Sequence, residues 1–353
     1  MNDIKYVRVR RTRKLKIAPF WGILMVMIAF ISCLDRVASN KIEKKDNIVL
    51  AYVTSYGNTL PDPQIVTHIN YAFGHIDSSF CQIVIENEKR LSEISALKRK
   101  HPHLKVLLSV GGWGSGGFSE MAADEQKRLS FAEDCHRIIE QFGIDGIDID
   151  WEYPTSSAAG ISSSLDDTYN YTFLMRDIRK AIGKNKLLTL ASVYNGNYID
   201  FRAIDSFIDF VNVMVYDINR PPYHHAALYR SERSGNGTVE EAINAHLQKG
   251  IMADKLVLGI PFYGHGVAPL PDFINYDVIS ELEGYVSCWD SIAQVPYLAD
   301  QEENLICSFE NPMSIAAKCS FVKEKGLLGI MYWEYNTDDK NGTLRNAVYK
   351  GMK

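Results

Sequence analysis

The chain has 353 residues, 46% of them apolar and 23% charged, with a net charge of −5. This is the balance of a globular protein, long enough for one large α/β domain or two smaller ones, and its acidity gives no footing for nucleic acid. Beyond residue 33 the cysteines are Cys81, Cys135, Cys288, Cys307 and Cys319, an odd number without ligand spacing, which argues against a zinc site and a dense disulfide framework.

Residues 1–33 read as a segment separate from the fold. Lys5, Arg8, Arg10, Arg11, Arg13, Lys14 and Lys16 precede an apolar run over 20–31. That run is short of the ~20 residues a membrane-spanning helix needs, and a basic head before a short apolar run is the pattern of a bacterial-type export signal. Cys33, just after it, resembles a lipoprotein processing site, in which the cysteine becomes the acylated N-terminus. An uncleaved anchor and cleavage at another position are the alternatives. Residues 34–46 are polar and read as a tether. The expectation is export to the cell envelope with a lipid anchor at Cys33, on the periplasmic or outer-membrane side.

From residue 47 onward, apolar strands alternate with amphipathic segments. Strands are predicted over 48–53, 68–73, 105–110, 146–152, 187–193, 210–216, 255–261 and 327–333, and helices over 124–142, 169–182, 238–250 and 312–325. In the last of these Ile315, Cys319 and Val322 recur at helical spacing, and Gly326 is placed to cap the end. Eight strands alternating with helices predict a (β/α)8 TIM barrel over 47–353. Residues 264–311, between the seventh and eighth strands, read as a small β-rich insertion. Cys288 and Cys307 could pair there if the chain is exported.

The fourth strand carries the densest chemistry. Gly143-Ile-Asp-Gly-Ile-Asp-Ile-Asp-Trp-Glu-Tyr-Pro154 places Asp148, Asp150 and Glu152 at every second position, with Ile147, Ile149 and Trp151 between them. In a strand such residues share one face and stand about 6.6 Å apart. Acids that close cannot all ionise cheaply, so at least one pKa must rise, which is what a general acid at neutral pH requires. A solvated acidic edge is disfavoured by the apolar residues between the acids. A calcium loop would use turn residues and a glycine instead of a β-branched strand.

In a barrel of this kind active sites lie at the C-terminal ends of the strands. Glu152 is therefore expected at the mouth, with Asp150 and Asp148 deeper. Other strand ends bring Tyr71-Ala-Phe73, Ser109-Val-Gly-Gly-Trp113, Met214-Val-Tyr-Asp217 and Tyr332-Trp-Glu334 to the same place. With 19 tyrosines in a chain that is 11% aromatic, a surface for the apolar faces of sugar rings is suggested.

These residues carry a resemblance to glycoside hydrolase family 18, the chitinase and endo-β-N-acetylglucosaminidase family, over about residues 47–350. Asp145-Gly-Ile-Asp148-Ile-Asp150-Trp-Glu152 matches its DGxDxDxE signature, Ser109-Val-Gly-Gly112 its SxGG strand and Met214-Val-Tyr216-Asp217 its MxYD strand. Trp333 stands where the family has a tryptophan floor. The resemblance implies a substrate-assisted retaining mechanism, one of the exceptions to the two-carboxylate scheme. Glu152 would protonate the glycosidic oxygen while the substrate's own acetamido oxygen attacks the anomeric carbon. Asp150 would hold the acetamido nitrogen, Asp148 would share a proton behind it, and Tyr216 would orient the acetamido oxygen. Asp145 would be a structural acid of the motif. Tyr52, Phe73, Gly112, Trp113, Tyr153, Met214 and Asp217 match cleft positions, with Trp333 stacking under the sugar.

Two departures stand out. The family's Tyr-Gly-Arg after the seventh strand is Tyr263-Gly264-His265 here, with Arg220 and Arg230 as candidate replacements. The insertion is also too short to wall a deep groove. The resemblance thus implies a monomeric hydrolase of β-1,4 bonds following N-acetylglucosamine, acting first on chitin or chito-oligosaccharides. Action as an endo-β-N-acetylglucosaminidase on N-glycan cores or related, peptidoglycan-like glycans is the alternative, and a catalytically inactive sugar-binding protein is disfavoured because all four acids are present. No cofactor and no metal are implied, and the membrane enters only through the N-terminal segment.

Overall fold

The apolar strands close on one another in parallel. A computed structural model describes residues 47–353, which form one compact unit; the export signal, Cys33 and the tether lie outside the described residues. The strands are β1 (Ile48–Thr54), β2 (His68–Ile76), β3 (Ile83–Ile85), β4 (Lys105–Gly111), β5 (Gly146–Asp150), β6 (Leu187–Val193), β7 (Phe210–Met214), β8 (Leu256–Pro261), then β9 (Tyr263–Gly266), β10 (Phe273–Asn275), β11 (Val286–Asp290), β12 (Val295–Ala299), β13 (Leu305–Ser308) and β14 (Gly329–Trp333). Among the described residues the order β1-β14-β8-β7-β6-β5-β4-β2 is completed by pairing of β1 with β2, giving a barrel of eight parallel strands. The (β/α)8 architecture expected from the sequence is the one observed. The short β3 adds antiparallel to the outer end of β2.

Alternation along each strand separates two apolar layers. Ile69, Leu108, Ile147, Ile149 and Leu190 belong to the layer under the helices, while Leu50, Tyr52, Ala72, Val257 and Met331 fill the barrel. The same alternation turns Asp148 and Asp150 inward.

The helices around the barrel are α1 (Glu88–Ala96), α2 (Phe118–Ala123), α3 (Glu125–Phe142), α4 (Asp167–Ile182), α5 (Phe201–Ile204), α6 (Val239–Gln248), α7 (Tyr276–Ile279), α8 (Pro312–Lys325) and α9 (Thr343–Met352). Helix α3 starts where the Asp124 carboxylate accepts from the Lys127 N–H at 3.0 Å, and it buries Phe131, Cys135, Ile138 and Ile139 on one face. Helix α8 opens with Asn311 in a capping box and Pro312 in its first turn. Gly326 ends α8 at φ 66°, the left-handed cap expected from the sequence. Among the described residues no helix is long and apolar enough to cross a membrane.

The insertion is a separate antiparallel sheet of five strands, ordered β10-β9-β13-β12-β11. Cys288 on β11 and Cys307 on β13 are both free thiols, because β12 runs between their strands. Two predicted strands end early. β5 stops at Asp150 and β7 at Met214, so Glu152 and Tyr216 stand on the chain just past the ladder.

Candidate active site

Asp148 sits at the floor of the site, wholly buried, and four barrel strands supply its hydrogen bonds. Thr189 Oγ1 donates to Oδ1 at 2.5 Å and Asn212 Nδ2 at 3.1 Å, while Ser109 Oγ and Tyr52 Oη donate to Oδ2 at 2.8 and 2.9 Å. Parallel pairing sets this ring, since Ser109 on β4 and Thr189 on β6 are the register partners of Asp148. Burial raises the Asp148 pKa, and the four donors act against that rise.

Asp150 lies one layer higher, 4% exposed, with Oδ1 lacking a hydrogen-bond partner among the described residues. Burial first, then the charges of Glu152 and Asp148, push its pKa well above the usual carboxyl value. Glu152 is half-buried at the mouth, and its pKa is raised to about 7, chiefly by burial, with the Asp217 charge adding to it. Three stacked acids thus share fewer charges than carboxylates at neutral pH, which is the state an acid catalyst needs.

The backbone of β4 fits closely against this column. The Gly112 N–H donates to the Asp150 carbonyl at 2.9 Å. Gly111 has φ +126°, and a Cβ there would lie 2.0 Å from the same carbonyl oxygen. A Cβ on Gly112 would come 2.7 Å from the Phe73 ring. The SxGG segment therefore keeps both the acid strand and the aromatic floor at close range.

Aromatic rings surround the acids. Phe73 and Trp333 stack at 5.5 Å between centroids, and Tyr52 approaches Trp333 at 5.7 Å. Met214, Phe73 and Trp333 pack, partly exposed, on Tyr52, Ala72, Tyr216, Tyr263 and Met331. The Tyr216 hydroxyl lies 4.0 Å from Met331 Sδ. Trp113 is 63% exposed at the rim and meets Tyr153 edge-on at 6.2 Å, while Tyr153 stacks on Tyr198 at 5.4 Å. The peptide bonds Ala72–Phe73, Glu152–Tyr153 and Trp333–Glu334 are cis.

Asp217 marks the other side of the acid column. Its Oδ1 receives the Tyr263 hydroxyl at 2.6 Å and lies 2.6 Å from His265 Nε2. Burial works to raise its pKa, but contacts with His225, His265 and Tyr263 outweigh that and hold it well below the usual range.

Most residues expected at the site converge there, while Asp145, expected as the structural acid of the motif, and Arg230 stand elsewhere. Asp145 precedes β5 at the opposite end of the barrel, where it accepts from Val106 N at 2.8 Å and meets Lys98 Nζ at 2.6 Å. Arg230 is turned away from the cleft into an ion pair with Glu241 of α6. Arg220 does reach the Asp217 side, with Nε 2.7 Å from Asp272 Oδ1. Thr189, Asn212, Tyr198 and His225 were not among the residues expected from the sequence. Thr189 and Asn212 left a signal, as polar residues inside the apolar strands LLTLASV and FVNVM.

The comparisons with known proteins agree with this geometry. The family model described as "Glycosyl hydrolases family 18" matches residues 48–338. Chitinase A1 of Niallia circulans is 30% identical over 84% of this chain, which spans 56% of that relative's length. Chitotriosidase-1 of Mus musculus is 31% identical over 81% of this chain and 70% of its own length. Among solved structures, a glycoside hydrolase family 18 N-acetylglucosaminidase from Paenibacillus barengoltzii superposes with a TM-score of 0.78. It is 32% identical and covers 87% of this chain and all of its own. A family model that runs from the first barrel strand to the last, over a barrel whose mouth holds the acid column, places this chain in glycosyl hydrolase family 18.

Proposed function

We propose that the chain hydrolyses β-1,4 bonds following N-acetylglucosamine in chitin or chito-oligosaccharides, by substrate-assisted retention. The observation that carries the reading is the Asp148–Asp150–Glu152 column beside the Trp333–Phe73 floor, where burial raises the carboxyl pKa values. Protonated Glu152 gives its proton to the glycosidic oxygen as the C–O bond breaks. The acetamido oxygen forms the new bond to the anomeric carbon and yields an oxazolinium ion. Asp150 passes its proton toward Asp148 as that charge develops and holds the acetamido N–H, and Asp148 admits the proton by releasing one of its four donors. Water then opens the ring, losing its proton to Glu152, which restores the starting state. Tyr216 positions the acetamido oxygen. Making the nucleophile intramolecular supplies several kcal/mol of the acceleration.

The likeness to Chitinase A1 and Chitotriosidase-1 supports chitin as substrate. A second reading, release of glycans at an N-acetylglucosamine core, is favoured by the small insertion sheet and by histidine at position 265 in place of the family arginine. Incubation with chitotetraose and, separately, with an N-linked glycopeptide, resolved by mass, separates them. Chitobiose from the first alone supports the chitinase reading. A peptide that keeps one N-acetylglucosamine supports the second, and silence on both overturns each. We also propose export and a lipid anchor at Cys33, resting on the basic and apolar pattern before it.

A further inference from the structure

Asp217, His225 and His265 are separated by up to 48 residues, yet their ligand-bearing atoms lie within 4.8 Å of one another. Asp217 follows β7, His225 lies in the segment before α6, and His265 sits on β9 of the insertion. His265 Nδ1 faces two acceptors, the Asp272 carbonyl at 2.8 Å and Asp272 Oδ1 at 2.9 Å. That arrangement assigns a proton to Nδ1, while the 2.6 Å contact makes Nε2 a donor to Asp217, and an ion bound between the two would take the place of that proton. A second-row partner on the far nitrogen is how metal-bound histidines are oriented.

His225 is the independent observation. Its side chain is wholly buried, with Nδ1 3.8 Å from Asp217 Oδ1. Neither ring nitrogen has a hydrogen-bond partner among the described residues. Buried imidazoles are ordinarily paired, because an unpaired polar atom loses its hydration without return.

We propose that Asp217, His225 and His265 form a binding site for a divalent transition-metal ion, zinc above all, and that the ion inhibits the hydrolase. Two imidazoles and a carboxylate are a common zinc donor set with one position left open. Tetrahedral donors 2.0–2.1 Å from zinc stand about 3.3 Å from each other, so the observed spacing needs shifts on the order of 1 Å. Asp217 is 48% exposed, which gives the ion an entry path from the cleft. Tyr263 remains as a donor to the ligating carboxylate. The inhibitory consequence rests on the glycosidase reading, since Asp217 is then withdrawn from sugar binding; the binding itself does not.

The test uses the purified full chain, stripped with a chelator and titrated with zinc chloride by calorimetry in the absence of sugar. The expected result is one zinc per chain, weakened at least about tenfold in His225→Leu and less in Asp272→Ala, which leaves the Asp272 carbonyl on His265 Nδ1. Absence of binding to the parent chain, or undiminished binding by both His225→Leu and His265→Gln, overturns the site. Should His225→Leu fail to give a cooperative melt, His265→Gln alone carries the comparison. Hydrolysis of chitotetraose should fall with bound zinc and return with EDTA; activity unchanged at saturating zinc overturns the inhibitory half and leaves the site.

Discussion

Glu152 and Asp150 are two residues apart, and the structure gives them different tasks through their surroundings. Asp150 is buried between two other acids, whereas Glu152 stands at the mouth with its pKa near 7. Glu152→Gln should lower kcat by about 10²- to 10⁴-fold while an oligosaccharide still binds; retained turnover would remove Glu152 from the acid role. Because the acid must be protonated, the rate should fall as pH rises through about 7. The stability effect has the same direction. Between the ordinary glutamate value of 4.5 and about 7 the folded chain keeps a proton that the unfolded chain has released, so stability declines with rising pH across that window. Thermal melts of Glu152→Gln should lack this component of the decline, and a profile identical to the parent would sink the assignment.

At the scale of elements, β4 and β5 work as one unit. Gly111 leaves room for the Asp150 carbonyl, and no side chain fits at its φ of +126°. Gly111→Ala should cost at least about 2 kcal/mol in urea unfolding and reduce activity further by moving Asp150. An alanine variant with unchanged midpoint and rate would mean that the strands separate without consequence. Asp145, at the other end of β5, ties that strand to β4 and α1's trailing segment through Val106 N and Lys98. The DGxDxDxE run therefore combines an acid that registers the strand with three at the catalytic end.

Across the whole molecule, the barrel and its insertion are joined by a buried ion pair. Lys318 of α8 pairs with Glu310, both fully buried, and donates to the Ala226 carbonyl at 2.7 Å. Burial lowers the lysine pKa and raises that of the glutamate, and their mutual charge opposes both shifts. Lys318→Met should cost about 3–5 kcal/mol by leaving Glu310 unpaired, and Glu310→Gln in the same chain should recover part of that loss. Equal unfolding midpoints for the parent and Lys318→Met would show that the pair carries no net stability. At the same scale, Cys33→Ala should abolish incorporation of labelled fatty acid in a bacterial host; labelling that persists would place the anchor elsewhere or dispense with it.

The sequence by itself determined the barrel and the acid column. Both rest on local periodicity: alternation at two residues marks the strands and turns Asp148, Asp150 and Glu152 to one side, and the caps at Asp124, Asn311 and Gly326 are short-range hydrogen-bonding patterns. The early ends of β5 and β7 were not legible, because β5 stops opposite Gly111 at the end of β4 and β7 opposite Val193 at the end of β6, limits that lie outside each strand's own residues. Tertiary structure alone decided the four donors around Asp148, the turning of Arg230 toward Glu241, and the meeting of His225 and His265 at Asp217. These depend on which strands become neighbours when the barrel closes and on where the insertion folds back. Contacts between residues far apart in the chain leave no periodic trace in it.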